Sequence, residues 1–133
     1  MRRIYHVDYP ADVDQRMIPL LDVLNSIPGC RTLRSREGNG ADPFYVSLAI
    51  CSRFFAYKFK LWLKKTIPDV EFDSKDAPNG LLDYELFMRV SSREIGMLPD
   101  EKRLEMIGKL TSGLMDFVPE DLPGIDKTPR FPI

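Results

Sequence analysis

Few residues of this chain have the types and spacing to do chemistry. The single histidine, His6, lies two residues before Asp8 in the alternating stretch Arg3 to Tyr9. A His–Asp pair on one strand face could act as a general base. A hydrolytic triad would also need a serine or cysteine in a nucleophile motif, and none accompanies the pair. The expectation is a structural histidine. The two cysteines, Cys30 and Cys51, cannot close a zinc shell with one histidine, and the carboxylates lack the spacing of a calcium loop. No metal or other cofactor is expected, and the chain leans away from being an enzyme.

The segment that stands out is Arg34-Ser35-Arg36-Glu37-Gly38-Asn39, followed by Gly40. Its glycines free the backbone to aim amides at a ligand, and Ser35 and Asn39 add hydrogen-bonding groups. Arg34 and Arg36 are expected on one strand face with Thr32, where forked guanidinium donors match paired oxygens of a phosphate or carboxylate. These six residues are the expected ligand-binding site. The competing expectation is a solvated hairpin connection, which calls for the same composition.

These groups must be positioned by a single domain. The chain has 133 residues, 44% hydrophobic and 29% charged, with eight Phe, five Tyr and one Trp to fill one core. Nineteen basic against twenty acidic residues leave a net charge of -1, so nucleic-acid binding is not favoured by overall charge and would need a local patch. No apolar run approaches the roughly 20 residues that cross a bilayer. The cysteine usage and the lack of an N-terminal apolar stretch fit a reducing, cytoplasmic compartment.

The alternation of Arg3 to Tyr9 predicts a strand that ends at Pro10. Ile18, Leu21 and Leu24 predict a helix over about Met17 to Ser26, with Pro19 tolerated in the first turn and Pro28-Gly29 ending it. Cys30 to Arg36 and Phe44 to Cys51 read as a hairpin. Ser52 should cap a helix with Phe54, Phe55, Phe59, Leu61 and Trp62 on its apolar side and Lys58, Lys64 and Lys65 in water. That segregation favours an amphipathic core helix over a basic aromatic surface for single-stranded nucleic acid.

A second hairpin is expected from Val70 and Phe72 through the Asn79-Gly80 turn to the alternation Leu82 to Val90. Pro99 to Glu101 suit the start of a last helix reaching Val118, whose Gly108 and Gly113 suggest close packing on the sheet. Four prolines from Pro119 to Pro132 predict an extended tail over 119–133. The expected fold is α+β: a single domain over 1–118, in the order β-α-β-β-α-β-β-α, with helices packed on an antiparallel or mixed sheet.

Leu24-Asn25-Ser26-Ile27-Pro28-Gly29-Cys30-Arg31-Thr32, followed by Ser35-Arg36-Glu37-Gly38-Asn39 and an apolar strand, resembles a family of small bacterial and phage proteins. That family carries Leu-Asn-x-x-Pro-Gly-x-x-Thr, then Ser-Cys-x-Gly-His, then a strand. The Ser-Cys-x-Gly piece is also remotely similar to the wybutosine-synthesising tRNA methyltransferases. The resemblance spans about Ile18 to Ile50. Arg36 stands at the place of the family's cysteine and Asn39 at that of its histidine. With thiol and imidazole gone, the resemblance implies binding through Ser35, Glu37 and Gly38 rather than catalysis. No S-adenosylmethionine motif supports a methyltransferase.

Three functional expectations follow. The first is a non-catalytic binding module, phage-encoded or regulatory, that grips an anionic ligand or a protein partner at the hairpin tip. The second is an interaction or inhibitor protein acting through the terminal helix and tail, with homo-oligomerisation as one outcome. The third is a divergent RNA-modifying or nucleotide-handling enzyme using Ser35, Glu37 or His6.

Overall fold

The computed structural model describes residues 9–77 and 84–117. Its framework is the Cys30-to-Ile50 hairpin. Strands β1 (Cys30–Arg36) and β2 (Phe44–Ile50) pair antiparallel, and β2 then pairs with β4 (Leu86–Ser92), which pairs with β3 (Glu71–Asp76). The result is a four-stranded sheet in the order β1-β2-β4-β3, antiparallel throughout. The α+β architecture expected from the sequence is therefore present, and among the described residues the sheet is antiparallel rather than mixed. Of the strand expected over residues 3–9 all but Tyr9 lies outside the described residues, as do the Asn79-Gly80 turn and the 119–133 tail.

Alternation decides which face is buried. Val46, Leu48 and Ile50 on β2 stand opposite Val90, Met88 and Leu86 on β4, and all six side chains are buried. The helices α1 (Ile18–Asn25), α2 (Arg53–Thr66) and α4 (Asp100–Met115) cover that face with Leu20, Leu24, Phe59, Leu63, Leu110 and Leu114. Burying each such side chain is worth about 1.5–3 kcal/mol. Phe117 packs along α2, its ring centroid 6.1 Å from Phe55, 5.5 Å from Phe59 and 5.9 Å from Trp62.

Local chemistry sets the helix boundaries. A 3-10 turn (Gln15–Met17) leads into α1, with proline in its first turn. Ser52 caps α2 by accepting from the Phe55 amide at 3.1 Å. The expected last helix begins at Asp100, and a short helix precedes it. Ser92 accepts from the Ile95 amide at 3.0 Å and starts a short α3 (Arg93–Met97) that the alternation of β4 did not foreshadow. Asp69 holds this corner, accepting from the Ser92 hydroxyl at 2.7 Å and from the Glu94 amide at 2.9 Å.

The two faces of α2 also differ from expectation. Phe55, Ala56, Phe59 and Leu63 face the core, whereas Phe54 and Leu61, expected with them, are 51% and 43% exposed. At 100° per residue, Phe54, Tyr57 and Leu61 form a separate outward stripe. In α4, Gly113 packs against the Trp62 ring of α2 rather than on the sheet, and nothing lies near Gly108, which faces solvent. Among the described residues, no helix is long and apolar enough to cross a membrane.

Candidate functional site

The strand that carries the expected site is irregular. Thr32 stands opposite Leu48, but the next pairing is Arg34 with Ser47, so Leu33 is a bulge residue without a cross-strand partner. Before the bulge, Thr32 lies on the buried face. After it the sense of alternation reverses, and Arg34 and Arg36 lie on the opposite face from Thr32, contrary to the expected grouping. Arg31, opposite Ala49, shares this outer face.

The outer face is three cross-strand rows. Arg36, Tyr45, Ser91 and Glu71 make one, and Arg34, Ser47, Arg89 and Asp73 the next. The third runs Arg31, Ala49, Phe87, Lys75. Arg34, Arg36 and Arg89 are exposed, and α1, α2 and α4 pack on the other side of the sheet. The Arg89 Cζ lies 3.8 Å from the Tyr45 ring centroid, a stacked cation–π contact, and the Lys75 ammonium lies 5.9 Å from that of Phe87. Charge is graded across the sheet. Arginines dominate β1, while Glu71 and Asp73 put acid on β3.

The remaining expected site residues lie away from that face. Ser35 stands opposite Val46, on the inner-face side, and is half-buried. Glu37 is buried, accepts at 3.0 Å from Arg103 Nε and is ion-paired at 3.0 Å with Arg16 Nη2. Gly38, at φ +95°, is packed against Gly96. The Asn39 side chain folds back on its own loop, accepting from the Ala41 and Asp42 amides at 2.9 and 2.8 Å. The six residues are thus contiguous in sequence but divided in space. Arg34 and Arg36 alone meet the other cations of the outer face.

The Leu-Asn-x-x-Pro-Gly-x-x-Thr pattern has a structural explanation of its own. Asn25 accepts from the Thr32 amide at 2.8 Å and donates to its hydroxyl at 2.9 Å, tying the end of α1 to β1. Gly29 turns the chain at φ +80°, where any Cβ would collide with Cys51 Sγ. Asn25 also donates to the Tyr9 hydroxyl at 3.0 Å, which donates in turn to Asp22 at 2.9 Å. Burial raises the Tyr9 hydroxyl well above the ordinary phenol range, with the Asp22 contact adding to the rise and the Asn25 bond opposing it.

Among the described residues β1 is an edge strand, and side chains satisfy part of that edge. Asn25 takes the Thr32 amide and Asp14 takes the Glu37 amide at 3.0 Å. Beside the edge runs a groove of about 750 Å³, between Tyr9, Pro10 and Val13 on one side and Leu33, Arg34 and Tyr45 on the other. Arg31 and Arg36 also line it. A second cationic surface lies on α2, where Lys58, Lys64 and Lys65 flank the Phe54–Tyr57–Leu61 stripe.

Sequence reasoning missed Tyr45 and Arg89. The signal was available: in strands whose Val46, Leu48, Met88 and Val90 point inward, Tyr45, Ser47, Phe87 and Arg89 must point outward. His6 lies outside the described residues. Among the described residues, no group of three or more His, Cys, Asp and Glu side chains could hold a metal ion. No family model, curated protein or solved structure matches this chain.

Proposed function

We propose that this chain is a binding module for an anionic ligand, held on the outer face of the sheet rather than at the hairpin tip. The observation that carries the proposal is the Leu33 bulge, which sets Arg34 and Arg36 on the same exposed face as Arg89. Guanidinium groups on a firm sheet present paired donors at fixed spacing, and such forks fit phosphate and carboxylate oxygens. The geometry favours binding over catalysis. Glu37, the nearest carboxylate to the tip's arginines in sequence, is committed to Arg16 and Arg103.

Titration calorimetry with inorganic polyphosphate tests this. The expected result is saturable binding that Arg34→Ala combined with Arg36→Ala weakens at least about tenfold, on charge-assisted bonds worth about 1.5–3 kcal/mol each. Melting temperature should be unchanged, because both side chains are exposed. Undiminished binding by the double variant would overturn the assignment.

A further inference from the structure

We infer that the anionic ligand of the outer face is a single-stranded nucleic acid, an inference that rests on the anion-binding reading above and names its substrate class. Cations alone would suit any polyanion. This face adds flat π surfaces in register with them. Arg89 lies on Tyr45 at 3.8 Å, and a base placed on the exposed side of the guanidinium continues the stack. Phe87 lies on the same face, with Lys75 near its ring.

Tyr45 and Phe87 are four residues apart along the ladder and one strand apart across it, because Tyr45 pairs with Ser91 and Ala49 with Phe87. That separation is about 14 Å from strand geometry, enough for two bases of one extended strand to use different platforms. Ser47 lies between them, directly opposite Arg89, and offers a hydroxyl to a base edge or sugar.

The phosphates have their own partners. Arg36 stands directly across from Tyr45, and Arg34 across from Ser47, so a strand lying over β2 has guanidinium groups along its flank. Glu71 and Asp73 on β3 repel a polyanion from the far edge and keep it over β1, β2 and β4. A duplex fits this surface less well. Its bases are stacked on one another and unavailable to Tyr45 or Phe87, leaving only phosphate contacts.

The α2 surface carries lysines and aromatics too, but its stripe includes Leu61, which offers no stacking plane, and its cations are ammonium groups on flexible stems. The sheet is the better platform on both counts.

The test is fluorescence anisotropy with labelled oligothymidylate and oligouridylate, set beside a blunt duplex and inorganic polyphosphate as a base-free polyanion. The single strands should bind more tightly than duplex or polyphosphate. Tyr45→Ala should weaken single-strand binding at least about fivefold, the lower end of one lost base stack, and weaken polyphosphate binding by clearly less. Tyr45→Phe should retain binding, which separates a stacking loss from a folding loss. Arg34→Ala with Arg36→Ala should weaken both ligands and flatten the single-strand salt slope by about 1.4.

If Tyr45→Ala is silent on oligothymidylate while the arginine pair still governs polyphosphate, the nucleic-acid inference falls and the anion-binding reading stands. If neither polyanion binds, or the arginine pair affects neither, both fall. Loss of oligothymidylate binding in Lys64→Ala with Lys65→Ala, with the arginine pair silent on both ligands, would also overturn both and move the strand to α2.

Discussion

Arg103 Nε donates to Glu37 Oε1 at 3.0 Å, and the two side chains are only 9% and 10% exposed although 66 residues separate them in sequence. Arg16 reaches the same carboxylate oxygen, and Arg103 also donates to the Leu98 carbonyl at 2.8 Å and to Asp100 at 2.9 Å. The end of the hairpin is thereby fastened to the 3-10 turn and to the start of α4. Removing one partner of such a pair leaves buried charge uncompensated. Glu37→Gln should therefore cost about 3 kcal/mol in a urea titration, while a Glu37→Met/Arg103→Met double variant should lose less than the sum of its single changes.

Asp100 gives this cluster a pH dependence. The hydrogen bond from Arg16, at 2.8 Å, holds its carboxyl below the usual range, helped by the charges of Arg16 and Arg103 and opposed by desolvation. A carboxylate depressed in the folded state stabilises the fold fully above its unfolded pKa of about 3.9, and this contribution is lost as pH falls through the folded value. Asp100→Asn should accordingly lower the urea midpoint at neutral pH. The gap between variant and parent should close as the medium is acidified below about pH 4.

Two glycines of the C-terminal helices should respond oppositely to alanine. At Gly96 a Cβ would run into the Asp42 carbonyl and the backbone of Pro43 and Phe44, none of which can swing aside. Gly96→Ala should cost about 2 kcal/mol or more by overpacking. Gly108 has open space around it within a helix, so Gly108→Ala should gain up to about 1 kcal/mol. Thermal melts of the two variants should move in opposite directions.

Adjacent phenylalanines on α2 provide a similar contrast. Phe55 is fully buried against Phe59 and Phe117, so Phe55→Ala should cost about 4 kcal/mol. Phe54 is 51% exposed, with the Lys58 ammonium 5.6 Å from its ring centroid. Phe54→Ala should stay under about 1 kcal/mol by the same denaturant measurement.

The elements that follow simple periodicity are legible in the sequence. The inward faces of β2 and β4, the Pro28-Gly29 stop and the Ser52 cap come directly from alternation and turn chemistry. Three features are not legible. Leu33 sits in a run that alternates plausibly without a bulge, because nothing in Thr32-Leu33-Arg34 marks an unpaired residue. Phe54 and Leu61 look like core in a helix whose opposite side is already apolar, and only packing reveals that the core side is filled by Phe55, Phe59 and Leu63. Glu37 reads as a loop residue until α4 delivers Arg103 from far along the chain.

The site divides along the same line. Arg34 and Arg36 could be singled out from their own segment. Their association with Tyr45 and Arg89 depends on pairings among three strands, and no local window contains it.

The bulge at Leu33 makes inside and outside on β1 a question of parity. Up to Thr32 the even-numbered residues point inward. Past Leu33 the odd ones do, as Ser35 opposite Val46 demonstrates. The ladder counts partners while the chain counts residues, and at this one position the two tallies differ by one. A chain lacking Leu33 would pair Thr32 and Arg34 in unbroken succession and keep every arginine on its present side. A chain that kept Leu33 but flattened the bulge would aim Arg34 and Arg36 at the helices.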